Sequence, residues 1–326
     1  VWDRIVVSDV AHRSATAGTG DAAPSVRRLP IVDAAAPAER LAMLRILVGT
    51  FALTYLLVRL PVFLQLTERE SGFDGVGLAT PLTGPVPDAV VVGAIALALV
   101  AGAAATLGWR HRVTGPVFAL AVLALGSYRG SWGQLLHFEN IFAMHLLIVG
   151  LAPAADAWSL DARRRAATAT GARRDPVAYG WPIALAGLVV VVTYVITGVA
   201  KLRYGGLDWI FGDTLRNHVA YAAARLDLLG GTPSPFARWV VGLPAVWPAA
   251  AAFAVMVELA APVAFLGGRI RTAWVVAAWA LHVAILLLML IAFPYPLFLV
   301  AFAPFYRIER LWTDRPAWLR SRRVGP

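Results

Sequence analysis

The sequence predicts an all-α, polytopic membrane protein: a helical bundle of about eight transmembrane helices, with the N-terminus and the C-terminus both inside. Three observations carry that prediction. Of the 326 residues, 59% are hydrophobic and only 15% are charged, with a mean hydropathy of +0.69, well beyond a soluble globular domain. The apolar residues gather into segments, several of them near the length that crosses a bilayer. The arginines sit between those segments, as the positive-inside bias places them.

In order, residues 1–40 are polar and rich in Ala, Asp, Arg and Pro, a composition expected of a partly disordered cytoplasmic tail. Pro37 followed by Ala-Glu-Arg-Leu reads as a helix start. Apolar segments follow near 44–65, 87–108, 113–128, 136–155, 180–200, 244–267, 272–291 and 293–306, the third and the eighth being short. Residues 41–312 therefore read as one transmembrane domain, and 313–326 as a basic cytoplasmic tail. With the N-terminus inside, 21 of the 29 Lys and Arg residues fall on inner segments, which fixes the orientation. The longest connection, 202–242, is then outside. Its 209–229 stretch mixes apolar and polar residues at near-helical spacing, as an interfacial or re-entrant amphipathic helix does. Pro233-Ser234-Pro235 marks a break before the sixth segment. Phe293-Pro294-Tyr295-Pro296 predicts a tight non-helical turn before the eighth.

Several function classes drop out. There is no cysteine, hence no thiol nucleophile and no Cys-ligated cluster. The net charge of +10 lies between membrane spans and lacks aromatic interleaving, which argues against a nucleic-acid partner. The first apolar segment starts too late for an ordinary secretory signal peptide. No metal is expected, because no H-E-x-x-H or E-x-x-H spacing occurs. The only lysine follows Ala200, so no phosphate-binding P-loop is present, and no Ser-His-Asp set announces itself.

The candidate chemistry centres on 193–209, T-Y-V-I-T-G-V-A-K-L-R-Y-G-G-L-D-W. Lys201 is the only lysine in a chain whose other cations are arginines. Burial can turn a lysine, but not an arginine, into a base. On a helix Tyr194, Thr197 and Lys201 share one face, and Gly198 leaves room beside it. The competing reading is a lysine snorkelling at a membrane boundary. Ionisable groups inside spans are functional hypotheses by default. Here they are Arg59, His137, Glu139, His145, Lys201, Glu258 and His282, with Arg129 just past the third span. The orientation places Arg59, Arg129, Lys201, His137 and Asn140 together in the outer half of the bundle. Glu139 points away from the His137–Asn140 face and is free to pair with an arginine. Glu258 and Arg59 read equally as neutralising other buried charges, and His282 as an interhelical hydrogen bond.

At these residues the chain resembles a known family. Y-V-I-T-G-V-A-K-L followed by D-W-I-F-G-D is similar to the catalytic-lysine segment of vitamin K-dependent γ-glutamyl carboxylases, with Lys201 in the lysine's place. S-W-G-Q-L-L-H-F-E-N and A-D-A-W-S-L-D-A resemble two further stretches, the first of which contacts the vitamin hydroquinone in the family. Asn140 and His137 are the nearest matches there, with altered order and spacing. Glu258 in V-E-L-A and His282 in Leu281-His282 resemble an acidic and a histidine-bearing position. The similarity runs from about residue 36 to 312, and is greatest to bacterial members called the horizontally transferred transmembrane domain family.

The resemblance implies a plasma-membrane, multi-pass enzyme acting on reduced vitamin K or menaquinol with O2. Lys201 removes a proton from the quinol, oxygen converts it to an epoxide, and the strong base so formed drives carboxylation with CO2. Asn140, His137, Tyr194 and Thr197 would meet the quinol head. Arg59 and Arg129 would stabilise developing anion charge. The carboxylases carry a large luminal region, whereas a short arginine-rich tail follows the last apolar segment here. The expectation is thus the quinol half-reaction, carried out among membrane lipids. The alternative is a non-enzymatic subunit that binds an isoprenoid quinone or lipid and serves a partner protein.

Overall fold

The computed structural model describes residues 34–69, 71–133, 139–168 and 174–314. His137 and most of both expected tails lie outside the described residues. Among the described residues the secondary structure is entirely helical, with no strand. Ten helices of seven residues or more position the rest. They are α1 (Ala38–Val58), α2 (Asp88–Leu107), α3 (His111–Gly130), α4 (Glu139–Leu151) and α5 (Leu160–Ala167). After them come α6 (Val177–Gly205), α7 (Thr214–Leu228), α8 (Pro235–Val241), α9 (Trp247–Leu259) and α10 (Gly268–Met289).

α1 starts where the sequence says it should. Pro37 is extended at the N-cap, and Glu39 lies in the first turn, where a carboxylate suits the helix dipole. Leu41, Leu44, Val48, Ala52 and Tyr55 are buried at three- and four-residue spacing, one stripe of the helix facing the core. The helix breaks at Arg59, just before Pro61, which has no N–H to donate to the Leu57 carbonyl and whose ring crowds that carbonyl. α2 ends at Gly108, which is left-handed (φ +67°). α3 and α4 approach closely because Gly115 and Gly150 face each other. A Cβ built on either would lie 2.5 to 2.7 Å from the other's carbonyl oxygen, the small-residue contact typical of membrane helices. One continuous apolar core runs through α1, α2, α3, α4, α6 and the final segment. A small separate cluster of Val219, Ala237 and Trp247 joins α7, α8 and the start of α9.

The span count is corrected. Among the described residues five helices, α1, α2, α3, α6 and α10, are long and apolar enough to cross a membrane. The count reaches six if α8 and α9, bent by 93°, are taken as one. The expected fourth segment, 136–155, forms a helix of only 13 described residues, about 20 Å long against the ~30 Å of a hydrocarbon core. The sixth, 244–267, changes from α9 to a 3-10 helix at Ala261–Leu266, with Pro262 at its start. The eighth, 293–306, is no span. Pro294–Leu297 is a single α-helical turn, not the non-helical turn expected, and Val300–Phe305 is a 3-10 helix containing Pro304. Apolar composition made this segment look like a span, but three prolines within it prevent a continuous hydrogen-bond ladder. Conversely, α6 runs for 29 residues, well past the expected 180–200. The 209–229 region is helical as expected, in two pieces, Asp208–Phe211 and α7.

The segments counted as inner do gather at one end of the bundle. Arg40 pairs with Glu309 through two bonds of 2.8 and 2.9 Å, and Ala36 N–H donates to Pro176 O. Asp161 accepts from the backbone of Arg110 and His111. Arg271 donates to the carbonyls of Ala264 and Phe305. Both ends of the described chain therefore meet on the same side.

Candidate functional site

A polar line crosses the interface of α6, α9 and α10. Lys201 is in the last turns of α6, and its Nζ donates to Glu258 Oε1 near the end of α9. The two side chains are 18% and 7% exposed. Gly198 makes this contact possible. A Cβ there would lie 2.9 Å from Leu259 Cδ2 and 3.0 Å from Glu258 Cβ, so a side chain would push α9 away. The Trp209 ring, on the turn after α6, lies 5.4 Å from Lys201 Nζ, within cation–π range. Lys201 thus meets a carboxylate and an indole face.

Two turns earlier on the same helix face, the Tyr194 hydroxyl lies 2.7 Å from His282 Nε2 of α10. The two pairs share one face of α6. Trp274, Phe302 and Phe293 wall the Tyr194–His282 pair with aromatic rings. Among the described residues, buried side-chain atoms without a hydrogen-bond partner include Glu258 Oε2, His282 Nδ1 and Trp209 Nε1. Native structures pair nearly all such atoms, so each orphan calls for an explanation. In either tautomer His282 keeps a free donor or acceptor at Nδ1.

The other predicted residues are elsewhere. Arg129 Nη2 donates to Glu139 Oε1 at 2.7 Å, and the Tyr55 hydroxyl donates to the same oxygen. The Arg59 guanidinium lies 6.0 Å from the Tyr55 ring. Among the described residues no hydrogen bond or ion pair joins this cluster to Lys201–Glu258. Among the described residues the groups expected together in the outer half are bonded in two separate clusters. α3 delivers Arg129 against α1 and α4, while α6 delivers Lys201 against α9. Asn140 is exposed. Thr197 is exposed too, and its Oγ1 donates back to Thr193 O at 2.8 Å, so it turns away from the line. His145 is a structural tie: Nδ1 meets Tyr295 Oη at 2.8 Å and Nε2 meets Ala186 O at 2.9 Å.

Sequence reasoning missed Tyr55, Trp209 and Arg45. Tyr55 stands four residues before Arg59, a helical neighbour spacing that signals a shared face. Trp209 carried no signal beyond lying in the resemblance segment. Arg45 was counted only as a flanking charge, yet it is 2% exposed. It donates to the carbonyls of Thr106, Ala154 and Trp158 at 3.2, 2.8 and 2.6 Å.

A profile of the HTTM domain matches residues 35–309. The chain belongs to the HTTM-domain family. Curated proteins and solved structures give no match. The HTTM family is related to the transmembrane core of the vitamin K carboxylases. The matched range spans every numbered helix, from α1 to α10.

Proposed function

We propose that this HTTM-domain protein is a membrane-embedded enzyme acting on a reduced naphthoquinone, with Lys201 and Glu258 as its acid–base pair. One observation carries the reading. A line of Lys201, Glu258, Tyr194 and His282, in which Glu258 and Tyr194 are buried and Lys201 and His282 half-buried, has unused hydrogen-bonding atoms at Glu258 Oε2 and His282 Nδ1. A ring with two hydroxyl groups has the chemistry to fill both. The proton shared between Lys201 and Glu258 lets the carboxylate hold it while the amine receives the quinol proton. Oxidation then follows the stoichiometry quinol plus O2 gives epoxide plus water. Any carboxylation with CO2 would be a later step. The tail of menaquinol suits the apolar residues around α6 and α10. The positive-inside bias puts the basic end of the bundle in the cytoplasm, hence Lys201 in the outer half of the plasma membrane.

The test uses the full chain in lipid nanodiscs with reduced menaquinone under oxygen, following epoxide and quinone by mass spectrometry. Lys201→Ala and Glu258→Gln are each expected to lower lysine-dependent turnover by about 10²-fold or more, the scale of a lost acid–base group. No turnover above protein-free nanodiscs sinks the enzymatic reading. A second reading is favoured by the closure of Lys201 on Glu258. It is a quinone- or lipid-binding subunit that serves a partner protein. It predicts quinone retained by the purified protein, without consumption, and partner function indifferent to Lys201→Met.

A further inference from the structure

At the opposite end of α6 the molecule has two adjoining cavities. One, of about 330 Å³, is lined by Arg40, Arg271, Arg307, Tyr306 and the backbone near Gly180. The other, of about 780 Å³, is lined by Leu47, Val276, Trp279, Phe298, Leu299 and Ala303, with Tyr306 and Arg307 shared by both. A charged compartment thus opens beside an apolar trough, and the same two side chains form the boundary.

The charges do not cancel. Glu309 is committed to Arg40 through both carboxylate oxygens. Arg271 is held against the carbonyls of Ala264 and Phe305, with its guanidinium 5.9 Å from the Tyr306 ring. Carbonyl oxygens orient that cation without neutralising it. Arg307 is exposed; its carbonyl accepts from Arg310 N–H, Glu309 lies within electrostatic reach of it, and among the described residues its guanidinium makes no hydrogen bond or ion pair. Two uncompensated arginines therefore face the polar compartment. Gly187 also lines that compartment and precedes Lys201 by 14 residues of one helix, a separation of about 21 Å. This is a different place from the Lys201 site.

We propose that these two cavities form a binding site for an anionic, phosphate-headed membrane lipid. Its headgroup lies between Arg271 and Arg307, and one hydrocarbon chain lies in the trough between α1, α10 and the 3-10 helix Val300–Phe305. The fork of donors on arginine matches a phosphate. The trough is apolar and of the size that small-molecule sites usually have. The end of the bundle that carries it is the one where basic segments gather, and basic residues there attract anionic lipid. A zwitterionic lipid would fill the trough equally but would gain little from two spare cations.

The experiment is native mass spectrometry of the full chain released from nanodiscs of equal phosphatidylglycerol and phosphatidylcholine. The wild type is expected to retain phosphatidylglycerol in excess. Arg307→Gln should weaken that retention about fivefold, the factor for one basic group beside an anionic lipid, and Arg307→Glu more. Arg307 is exposed, so neither change threatens the fold. Val276→Trp, at an exposed trough residue, should reduce retention of long-chain phosphatidylglycerol and spare a short-chain one. Equal retention of the two lipids by the wild type overturns the proposal. So does unchanged selectivity in both Arg307→Glu and Val276→Trp.

Discussion

Arg45 is a buried cation and Lys201 a half-buried one, and the molecule treats them differently. Arg45 is surrounded by main-chain carbonyls from the last turn of α2 and the α4–α5 connection, and among the described residues no carboxylate is bonded to it. Its planar fork of donors is filled. Lys201 has one carboxylate partner and one indole face, and Glu258 keeps an oxygen unused. Saturation by carbonyls makes a tie, whereas an acid–base pair with spare valence makes a site. Each cation also has a glycine beside it. A Cβ on Gly108 would fall 2.8 Å from Arg45 Nη1, and one on Gly198 would fall 3.0 Å from Glu258 Cβ.

The sharpest way to break the comparison is Arg45→Met. It strands several carbonyls that now accept charged donors, each worth roughly 1.5–3 kcal/mol. The expected loss is about 5 kcal/mol, measured by thermal or denaturant unfolding in detergent. Arg45→Lys should rescue little, because an ammonium cannot reproduce the fork. Glu258→Leu leaves the Lys201 ammonium unpaired and is expected to cost about 3 kcal/mol. Lys201→Met combined with Glu258→Leu should recover most of that stability, with no recovery of quinol turnover. If the double variant is as unstable as the single one, the pair is a tie like Arg45. Gly108→Ala meets both a positive φ and Ser159 Cβ at 2.4 Å, so roughly 2 kcal/mol or more is expected. Gly198→Ala meets the movable end of Leu259 and should cost about 1 kcal/mol, while lowering turnover by separating the pair.

The smallest effect is a pH dependence at the basic end. Burial works to raise the Glu309 carboxyl's pKa, but the hydrogen bonds and charge of Arg40 outweigh it and hold the group below the usual carboxylate range. A depressed folded pKa gives stability that is present above the unfolded value, about 4.3. That stability is lost as the pH falls through the folded value. Glu309→Gln should therefore cost less than about 1 kcal/mol at neutral pH. The difference from wild type should fade on acidification below the unfolded pKa.

Much of this was legible in the sequence, and unevenly so. α1, α2, α6 and α10 follow from long apolar runs, with Pro37 marking the start of α1. Arginine distribution correctly gathered the inner segments. The pairing of Glu139 with an arginine, of Glu258 with a buried cation, and of His282 with another helix followed from the expense of burying charge. Apolar content could not distinguish 293–306 from a span, since composition is blind to whether prolines leave a helix intact. Nor could charge bias separate Arg59 and Arg129 from Lys201. It sorts residues by side of the membrane and says nothing of which helices touch. Arg45 was hidden because its partners are carbonyls, which every residue carries and no sequence pattern marks.

The Arg45 tie has a consequence for how the chain is made. Its acceptors Ala154 and Trp158 lie 109 and 113 residues downstream. At about 5–20 residues per second of synthesis, the first helix waits roughly 5–20 s before those acceptors exist. Throughout that interval the newborn segment holds a bare guanidinium near the lipid boundary. Its integration is therefore provisional until α2, α3 and α4 have followed, and the bundle locks at its arginine-rich end once residue 158 has left the ribosome and reached the membrane.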